Sequence, residues 1–217
     1  MTNKLFVYGT LRMHERNHHL LNGSRCLAKQ SWTFGKLYDT GYGFPAIVQD
    51  PNECVYGELY EGSDDVMGHI DVLEGYRGEN QNNHYDRIQH TVYTDQSQHQ
   101  AYVYVYSSQQ TNSFREISFG DWKSYQLMNQ GSPIRYFAYG SCMDVQRIQR
   151  DRMLDHFQAY SKRGVVSNYK LAFTRRSVDG GRADIVESSG HKVEGIVYKI
   201  DDEALDYLYK REGVNLK

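Results

Sequence analysis

Apolar and polar positions alternate along several short stretches of the chain, and glycine, proline or asparagine separates these stretches. Between Gln100 and Tyr106, tyrosines alternate with valines, which is the period of two expected of a β-strand. Short apolar runs between turn-forming residues also indicate strands. By these criteria the predicted strands are Lys4–Tyr8, Thr33–Tyr38, Ala46–Gln49, Cys54–Tyr60, Tyr85–Thr94, Gln100–Tyr106, Tyr169–Phe173 and Gly195–Ile200.

A second pattern, with apolar residues three or four positions apart, predicts helices. Ser63–Glu74 is the clearest example, because Val66, Ile70 and Leu73 would form one buried stripe. The serine at its start is a suitable N-cap, and Gly75 is a suitable C-cap. Further helices are predicted at His14–Leu21, Asp121–Asn129, Met143–His156 and Asp201–Glu212.

The strand and turn at the start of the chain occur a second time. Tyr8–Thr10 is matched by Tyr139–Ser141, which lies 131 positions later and also follows an apolar strand. Val55–Tyr60 and Val193–Tyr198 share the spacing Val-x-Gly-x-x-Tyr with a shift of 138. Repeat units of solenoids are much shorter, at roughly 20–50 residues. The pattern therefore predicts two copies of one small domain.

The stretch at residues 131–133, Gly-Ser-Pro, is the clearest linker signal, so we expect one domain at residues 1–130 and a second at 134–217. After Glu74 the first copy continues through two predicted strands. The second copy has five residues after its matching Glu212. We therefore expect its sheet to lack the two closing strands of the first copy.

Composition adds limits on function. Of the 217 residues, 39% are hydrophobic and 13% aromatic, which is enough for a packed core. The net charge of −2 gives no basic surface for nucleic acid, and no run approaches the roughly 18 apolar residues of a membrane span. No signal-peptide pattern opens the chain, and the three cysteines form no C-x-x-C pair. We expect a cytoplasmic protein with reduced thiols that binds neither nucleic acid nor membrane; its oligomeric state stays open.

Two sets of residues are candidates for a site. A strand that ends in a tight turn, as at Gly9 and again at Gly140, leaves backbone N–H groups pointing the same way and forms an anion-binding nest. Glu74 would lie on the last turn of its helix beside the apolar stripe, where the helix dipole favours Lys or Arg. Glu212 occupies the same place in the second copy. This repetition favours a functional role over a solvated helix end.

The segments Tyr8–Arg12 and Leu73–Tyr76 resemble motifs of the gamma-glutamylcyclotransferase-like superfamily, and the first copy is most similar to its gamma-glutamylamine cyclotransferase branch. In the second copy, Tyr139–Met143 and Arg211–Val214 resemble the classical gamma-glutamylcyclotransferase branch. The resemblance covers about residues 4–106 and 135–214. It implies an α+β fold of two tandem small mixed β-barrels with flanking helices, the second of them incomplete at its C-terminus.

The resemblance also implies release of 5-oxoproline from a small gamma-glutamyl substrate, with no metal or organic cofactor. Tyr85 is a further candidate for the pocket wall, whereas Tyr102, Tyr104 and Tyr106 are interpreted as structural. Classical members carry Asn where Cys142 stands, so we expect the working site in the first copy. The implied substrate-binding residues are Tyr8, Gly9, Thr10 and Leu11, then Tyr139, Gly140, Ser141 and Cys142; the implied catalytic residues are Glu74 and Glu212.

Three alternatives stay open. A hydrolase with Ser141 or Cys142 as nucleophile is one, although the chain has no Gly-x-Ser-x-Gly elbow. A non-catalytic protein that keeps the pocket for a small acidic ligand is another. His14 and His18 would share one face of a helix and could bind a metal, but a polar helix face is the simpler interpretation.

Overall fold

The computed structural model describes residues 2–130, 133–177 and 180–212, with the side chains of all these residues except 159–162, 174–177, 180–182 and 212. The chain divides into two compact units, Met1–Gln126 and Leu127–Leu216. The domain limits predicted from the sequence, 1–130 and 134–217, stay a prediction. The strands are β1 Thr2–Val7, β2 Arg25–Phe34, β3 Lys36–Asp39, β4 Pro45–Val48, β5 Cys54–Ser63, β6 Asp86–Thr94, β7 Gln98–Val105, β8 Arg115–Glu116, β9 Ile134–Ala138, β10 Phe157–Ser177 and β11 Gly180–Ile200; the α-helices are α1 Asp64–Glu74, α2 Trp122–Asn129, α3 Val145–Arg150 and α4 Asp202–Glu212.

In the first unit, five strands form a closed barrel in the order β1-β5-β2-β6-β7. The closure is parallel, with Leu5 of β1 opposite Tyr102 of β7, whereas the other pairs are antiparallel. A small sheet, β4-β3-β8, accompanies the barrel. Alternation along β7 directs Val103 into one buried cluster and Tyr104 into another, because neighbouring side chains point to opposite faces of a strand. The second cluster includes Met67 and Ile70 of α1 together with Tyr85 and Tyr104, which line the candidate site.

Helix α1 forms where the sequence predicts it. The Ser63 side chain accepts a hydrogen bond from the Val66 amide at 3.4 Å, and Gly75 ends the helix in the left-handed conformation, with φ 64°. Ile70 is completely buried, but Leu73 is 39% exposed, so the predicted stripe is wrong at that position. The buried face of the helix is formed instead by Met67 and Ile70.

The second unit repeats the pairing of the first. Strands β10-β11-β9 form a three-stranded sheet in the same relative order as β2-β5-β1. Phe6 lies opposite Leu59, and Phe137 lies opposite Val197, which are equivalent pairs at the shifts found in the sequence. The described residues 133–177 and 180–212 contain no counterparts of β6 and β7, and their sheet is not closed. The expected α+β fold, with a small closed barrel in the first unit, is thus confirmed.

Two predicted helices and two predicted strands differ from the structure. The helix predicted at His14–Leu21 is a short 3-10 turn at His18–Leu21, because His14 has a positive φ of 69° that interrupts any longer helix. The helix predicted at Met143–His156 is limited to α3, since Arg152 has a φ of 57°. The strands predicted at Tyr169–Phe173 and Gly195–Ile200 are parts of the much longer β10 and β11. None of the helices within the described ranges is long and apolar enough to cross a membrane.

Candidate active site

A pocket of ≈ 220 Å³ opens in the first unit between the end of β1, the loop before β4, the end of α1 and the start of β6. The predicted residues Tyr8, Gly9, Thr10, Leu11, Glu74 and Tyr85 all line it. Tyr8 and Glu74 are 66 positions apart in the chain. They reach one pocket because β1 pairs with β5, and β5 leads directly into α1. The remaining lining residues are Phe6, Val7, Arg16, Asn17, Phe44, Pro45, Leu73, His84 and Tyr104.

The loop after β1 has the properties of the predicted nest. Within the described ranges, the amides of Gly9, Thr10 and Leu11 donate no hydrogen bond, so all three are available to a ligand. The turn is closed by the Arg12 amide, which donates to the Gly9 carbonyl at 3.1 Å. A Cβ at Gly9 would lie 2.8 Å from the ring of Pro45. Glycine is therefore required here by close packing against the opposite pocket wall.

A buried carboxylate fixes the far end of this loop. Glu58 of β5 accepts hydrogen bonds from the Met13 amide at 2.8 Å and the Tyr60 hydroxyl at 2.9 Å. Arg12 and Lys123 lie 3.5 and 3.3 Å from the same carboxylate. Burial alone would raise the pKa of Glu58, but these donors and cations together hold that pKa below its ordinary value. The ionised Glu58 holds the loop in place without reaching the pocket, because it is not one of the lining residues.

Glu74 is half-buried at the end of α1, and its backbone ties the helix to the neighbouring strand. The Glu74 carbonyl accepts from the Tyr85 amide at 3.1 Å, and the Gly75 carbonyl accepts from the His84 amide at 3.2 Å. Loss of hydration raises the pKa of the Glu74 carboxyl to about 7. No side chain in the described part of the structure forms a hydrogen bond or ion pair with this carboxyl. It therefore exchanges protons near neutral pH and is free to contact a ligand.

Tyrosines build the wall around Glu74. The Tyr8 hydroxyl donates to the Tyr104 carbonyl at 2.7 Å, and the Tyr85 hydroxyl donates to the Pro45 carbonyl at 2.7 Å. Burial is the main cause that raises the pKa of both phenols, so they stay protonated. Tyr104 donates in turn to Asp71 at 2.6 Å, and Arg87 binds the same carboxylate at 2.7 Å.

The interpretation of Tyr104 as purely structural is corrected, because it lines the pocket as well as packing in the core. Tyr106 packs against Tyr85 with ring centres 4.3 Å apart, and its hydroxyl lies 2.7 Å from Nε2 of His84. Tyr106 therefore supports the wall without being one of the lining residues.

In the second unit the matching residues have different surroundings. Tyr139 and Gly140 are half-buried, Ser141 is exposed, and Cys142 is buried in an apolar cluster. Arg211 of α4 donates from Nη2 to the Ser141 hydroxyl at 2.8 Å. A guanidinium donates hydrogen bonds and takes up no proton, so Ser141 has no base at this contact. The side chain of Glu212 lies outside the described residues.

These surroundings argue against the hydrolase alternative. A nucleophilic serine needs a neighbouring base, and the recorded partner of Ser141 is a cation. A reactive cysteine needs to be accessible, whereas Cys142 is only 3% exposed and packs in an apolar cluster.

His18 of the first loop has contacts of a structural kind. Nδ1 of His18 lies 3.0 Å from the Leu11 carbonyl, and its ring packs edge-on against Tyr60. In the second unit, His156, Asp201 and Glu203 place donor atoms within 4.8 Å of one another at the surface. His156 and Asp201 already form an ion pair at 2.8 Å. The expectation of no metal stays a prediction.

Sequence reasoning missed several lining residues. Phe44 and Pro45 belong to Gly43–Val48, which matches residues 181–186 at the shift of 138. This part of the repeat could have indicated that the segment contributes to the pocket. His84 directly precedes the predicted Tyr85. Arg16 and Asn17 carried no signal, because they lie in a segment whose predicted helix does not form. Asn17 fixes the nest, because its Nδ2 donates a hydrogen bond to the Thr10 hydroxyl at 3.0 Å.

Comparison with known proteins agrees with this fold. A family model described as "Gamma-glutamyl cyclotransferase, AIG2-like" matches residues 5–124 and again residues 136–216. The chain belongs to this family, and the two matched segments are compatible with an internal duplication. The predicted membership of the superfamily is thereby confirmed.

Individual relatives give the same assignment. The chain is 40% identical over 219 residues to "Putative gamma-glutamylcyclotransferase YkqA" of Bacillus subtilis (strain 168), which covers 99% of this chain and 75% of the relative. The crystal structure of YkqA superposes with a TM-score of 0.83, over 99% of this chain and 74% of YkqA. "Gamma-L-glutamyl-butirosin B gamma-glutamyl cyclotransferase" of Niallia circulans is 38% identical over 126 residues, which are 58% of this chain and 78% of that protein. These relationships support an enzyme of the gamma-glutamyl cyclotransferase family.

Proposed function

We propose that the first unit releases 5-oxoproline from a gamma-glutamyl amine, amino acid or peptide, with Glu74 as general acid and base. The observation that carries this proposal is the position of Glu74. A carboxyl group with a pKa of about 7 lines the same ≈ 220 Å³ pocket as three free backbone amides. Cytoplasmic location and reduced thiols stay part of the proposal.

The substrate supplies both reacting groups. Its α-amine attacks its own γ-carbonyl, the bond to the departing nitrogen breaks, and no water is consumed. Holding the glutamyl chain in the folded conformer contributes roughly 7–11 kcal/mol when the reacting atoms are well oriented. Two of the free amides at Gly9, Thr10 and Leu11 suffice for the substrate α-carboxylate, and the third is available to the developing oxyanion.

Glu74 moves the protons. Its carboxylate takes a proton from the α-ammonium group, which makes the amine a nucleophile. The resulting carboxylic acid gives this proton to the departing nitrogen as its bond to the carbonyl carbon breaks. The new ring nitrogen still carries one surplus proton, which passes through the regenerated carboxylate to the released amine, so Glu74 returns to its starting state. A group that must act as base and then as acid works best with a pKa near the working pH, as the pKa of about 7 provides.

The test is 5-oxoproline release from gamma-glutamyl amino acids, gamma-glutamyl-ε-lysine and glutathione by wild type, Glu74→Gln, Glu212→Gln and Glu79→Gln. Glu79 is exposed and lies outside the pocket, so it is the matched control. We expect Glu74→Gln to lose about 10²–10⁴-fold in kcat, as expected when general acid–base catalysis is removed. The other two variants should keep wild-type rates.

Other results would contradict the proposal in different ways. Loss only in Glu212→Gln would assign the activity to the second unit. Ligand binding by folded wild type without release from any substrate would favour the binding-protein alternative.

A further inference from the structure

The pocket contains one permanently charged cation among its lining residues. Apart from His84, the ionisable lining residues other than tyrosines are Arg16 and Glu74. Burial raises the pKa of Glu74 to about 7, so its carboxyl is only partly ionised at neutral pH. An arginine is always protonated. The pocket therefore has a surplus of positive charge for its ligand.

Arg16 is an exposed residue at the edge of the pocket, and its charge has no acidic partner in the described part of the chain. Its Nη1 lies 3.6 Å from the place where a Cβ of Gly43 would stand, so the guanidinium lies beside the loop that carries Phe44. No hydrogen bond or ion pair to its side chain is formed by any residue that the structure describes. The contrast with Arg12 is informative, since Arg12 binds Glu58 and Asp121 at 3.5 and 3.2 Å. An arginine at a pocket wall with all its donors free is suited to a planar anion.

The substrate offers two anions of different origin. Every gamma-glutamyl compound has the α-carboxylate of its glutamyl part, for which the proposed function uses the free amides after β1. A second carboxylate is present only when the departing amine is an amino acid or peptide. The nest and Arg16 are separate donors on the pocket wall, so the two carboxylates need not compete for one site.

We propose that Arg16 binds a carboxylate of the departing amine and makes the site selective for gamma-glutamyl amino acids and peptides over gamma-glutamyl amines without that carboxylate. This inference rests on the proposed function. It concerns a positioning residue of the same pocket rather than the chemistry itself.

The test compares gamma-glutamyl-alanine with gamma-glutamyl-alaninamide, which differ only in the carboxylate of the departing part. The two departing amines differ in basicity, so the ratio of their kcat/KM values is compared among proteins. Wild type, Arg16→Gln, Arg16→Lys and Arg25→Gln are assayed together. Arg25 is an exposed arginine of the same unit outside the pocket, which makes it the matched control.

We expect Arg16→Gln to lower kcat/KM for the acid by roughly 10- to 100-fold, the range for loss of a charge-assisted hydrogen bond, while the amide changes little. The loss should be mainly in KM. Arg16→Lys should keep part of the preference, and Arg25→Gln should keep all of it. An equal loss for both substrates would place Arg16 on the shared glutamyl part and overturn the inference. No change in the ratio would overturn it as well.

Failure of the proposed function would show differently, as absence of 5-oxoproline from both substrates with wild type. The inference is then decided by calorimetric binding of the same two compounds to Glu74→Gln and to Glu74→Gln/Arg16→Gln. Weaker binding of the acid alone in the second protein supports the role of Arg16. Equal binding of the acid by both proteins contradicts it.

Discussion

At the scale of a single residue, Glu74 shows how a carboxyl group at the end of a helix acquires a raised pKa. The sequence indicates an unusual carboxylate beside an apolar stripe, and the structure shows the cause of its raised pKa, which is loss of hydration without a compensating partner. The sequence alone could not show that Phe44 and Pro45 lie on the opposite wall, because nothing local links residues 44 and 74. A loop at residues 40–44 between β3 and β4 supplies that wall.

The raised pKa of Glu74 predicts a pH-dependent stability. Between about pH 4.5 and 7, the folded protein holds a proton on Glu74 that the unfolded chain has released. Its contribution to the free energy of unfolding is therefore complete below pH 4.5 and is lost as the pH rises through 7. Glu74→Gln does not titrate, so we expect its stability relative to wild type to increase by about 1–3 kcal/mol between pH 4.5 and pH 8. Urea unfolding at the two pH values measures this, and a constant difference between the proteins would contradict it.

At the scale of elements, the loop after β1 depends on a close contact of Gly9. The sequence explained this glycine by the need for a tight turn. Gly9 touches the ring of Pro45, where a Cβ would be only 2.8 Å away. We expect Gly9→Ala to displace the loop and lower kcat/KM by about 10²-fold, because misplacement of a substrate-positioning group by about 1 Å has an effect of that size. Steady-state kinetics of 5-oxoproline release measures the change.

Gly68→Ala is the matched control for Gly9→Ala. Gly68 is exposed in the middle of α1, and a Cβ there would meet nothing within 4 Å. This variant should be more stable by about 0.5–1 kcal/mol and fully active, since alanine is the better helix former. Full activity of Gly9→Ala would show that the contact with Pro45 does not set the geometry of the loop.

The predictability of the elements follows from how local their signals are. Helix α1 carries its own N-cap and C-cap, so its limits could be predicted to within one residue. The 21-residue strands β10 and β11 could not, because many of their side chains are polar on both faces and give no alternation to detect. The longer helix predicted at His14–Leu21 is wrong, because the positive φ of His14 has no sequence signal and only the 3-10 turn His18–Leu21 forms.

At the scale of the whole molecule, the repeat detected in the sequence corresponds to a repeated strand pairing, but the two units differ in what surrounds the pairing. Glu58 holds the loop after β1 through the Met13 amide, and the equivalent position in the second unit is Ile196. The loop after β9 is contacted instead by Arg211, which lies at the position of Leu73 in the first unit. We therefore assign the proposed site to the first unit, whose loop is held by a Glu58 carboxylate that the second unit lacks.

Two equivalent glycines test this assignment. A Cβ at Gly57 would lie 2.3 Å from the Val7 carbonyl oxygen, and a Cβ at Gly195 would lie 2.2 Å from the Ala138 carbonyl oxygen. Each alanine variant should force neighbouring strands apart and destabilise its unit by at least about 1–3 kcal/mol. We expect Gly57→Ala to lose 5-oxoproline release, because it displaces Val7 at the end of β1 and the nest follows directly in the chain. Gly195→Ala should unfold at lower urea concentration than wild type but keep its kcat/KM under native conditions. Loss of activity in Gly195→Ala at a urea concentration where the first unit is folded would mean that the second unit contributes to catalysis.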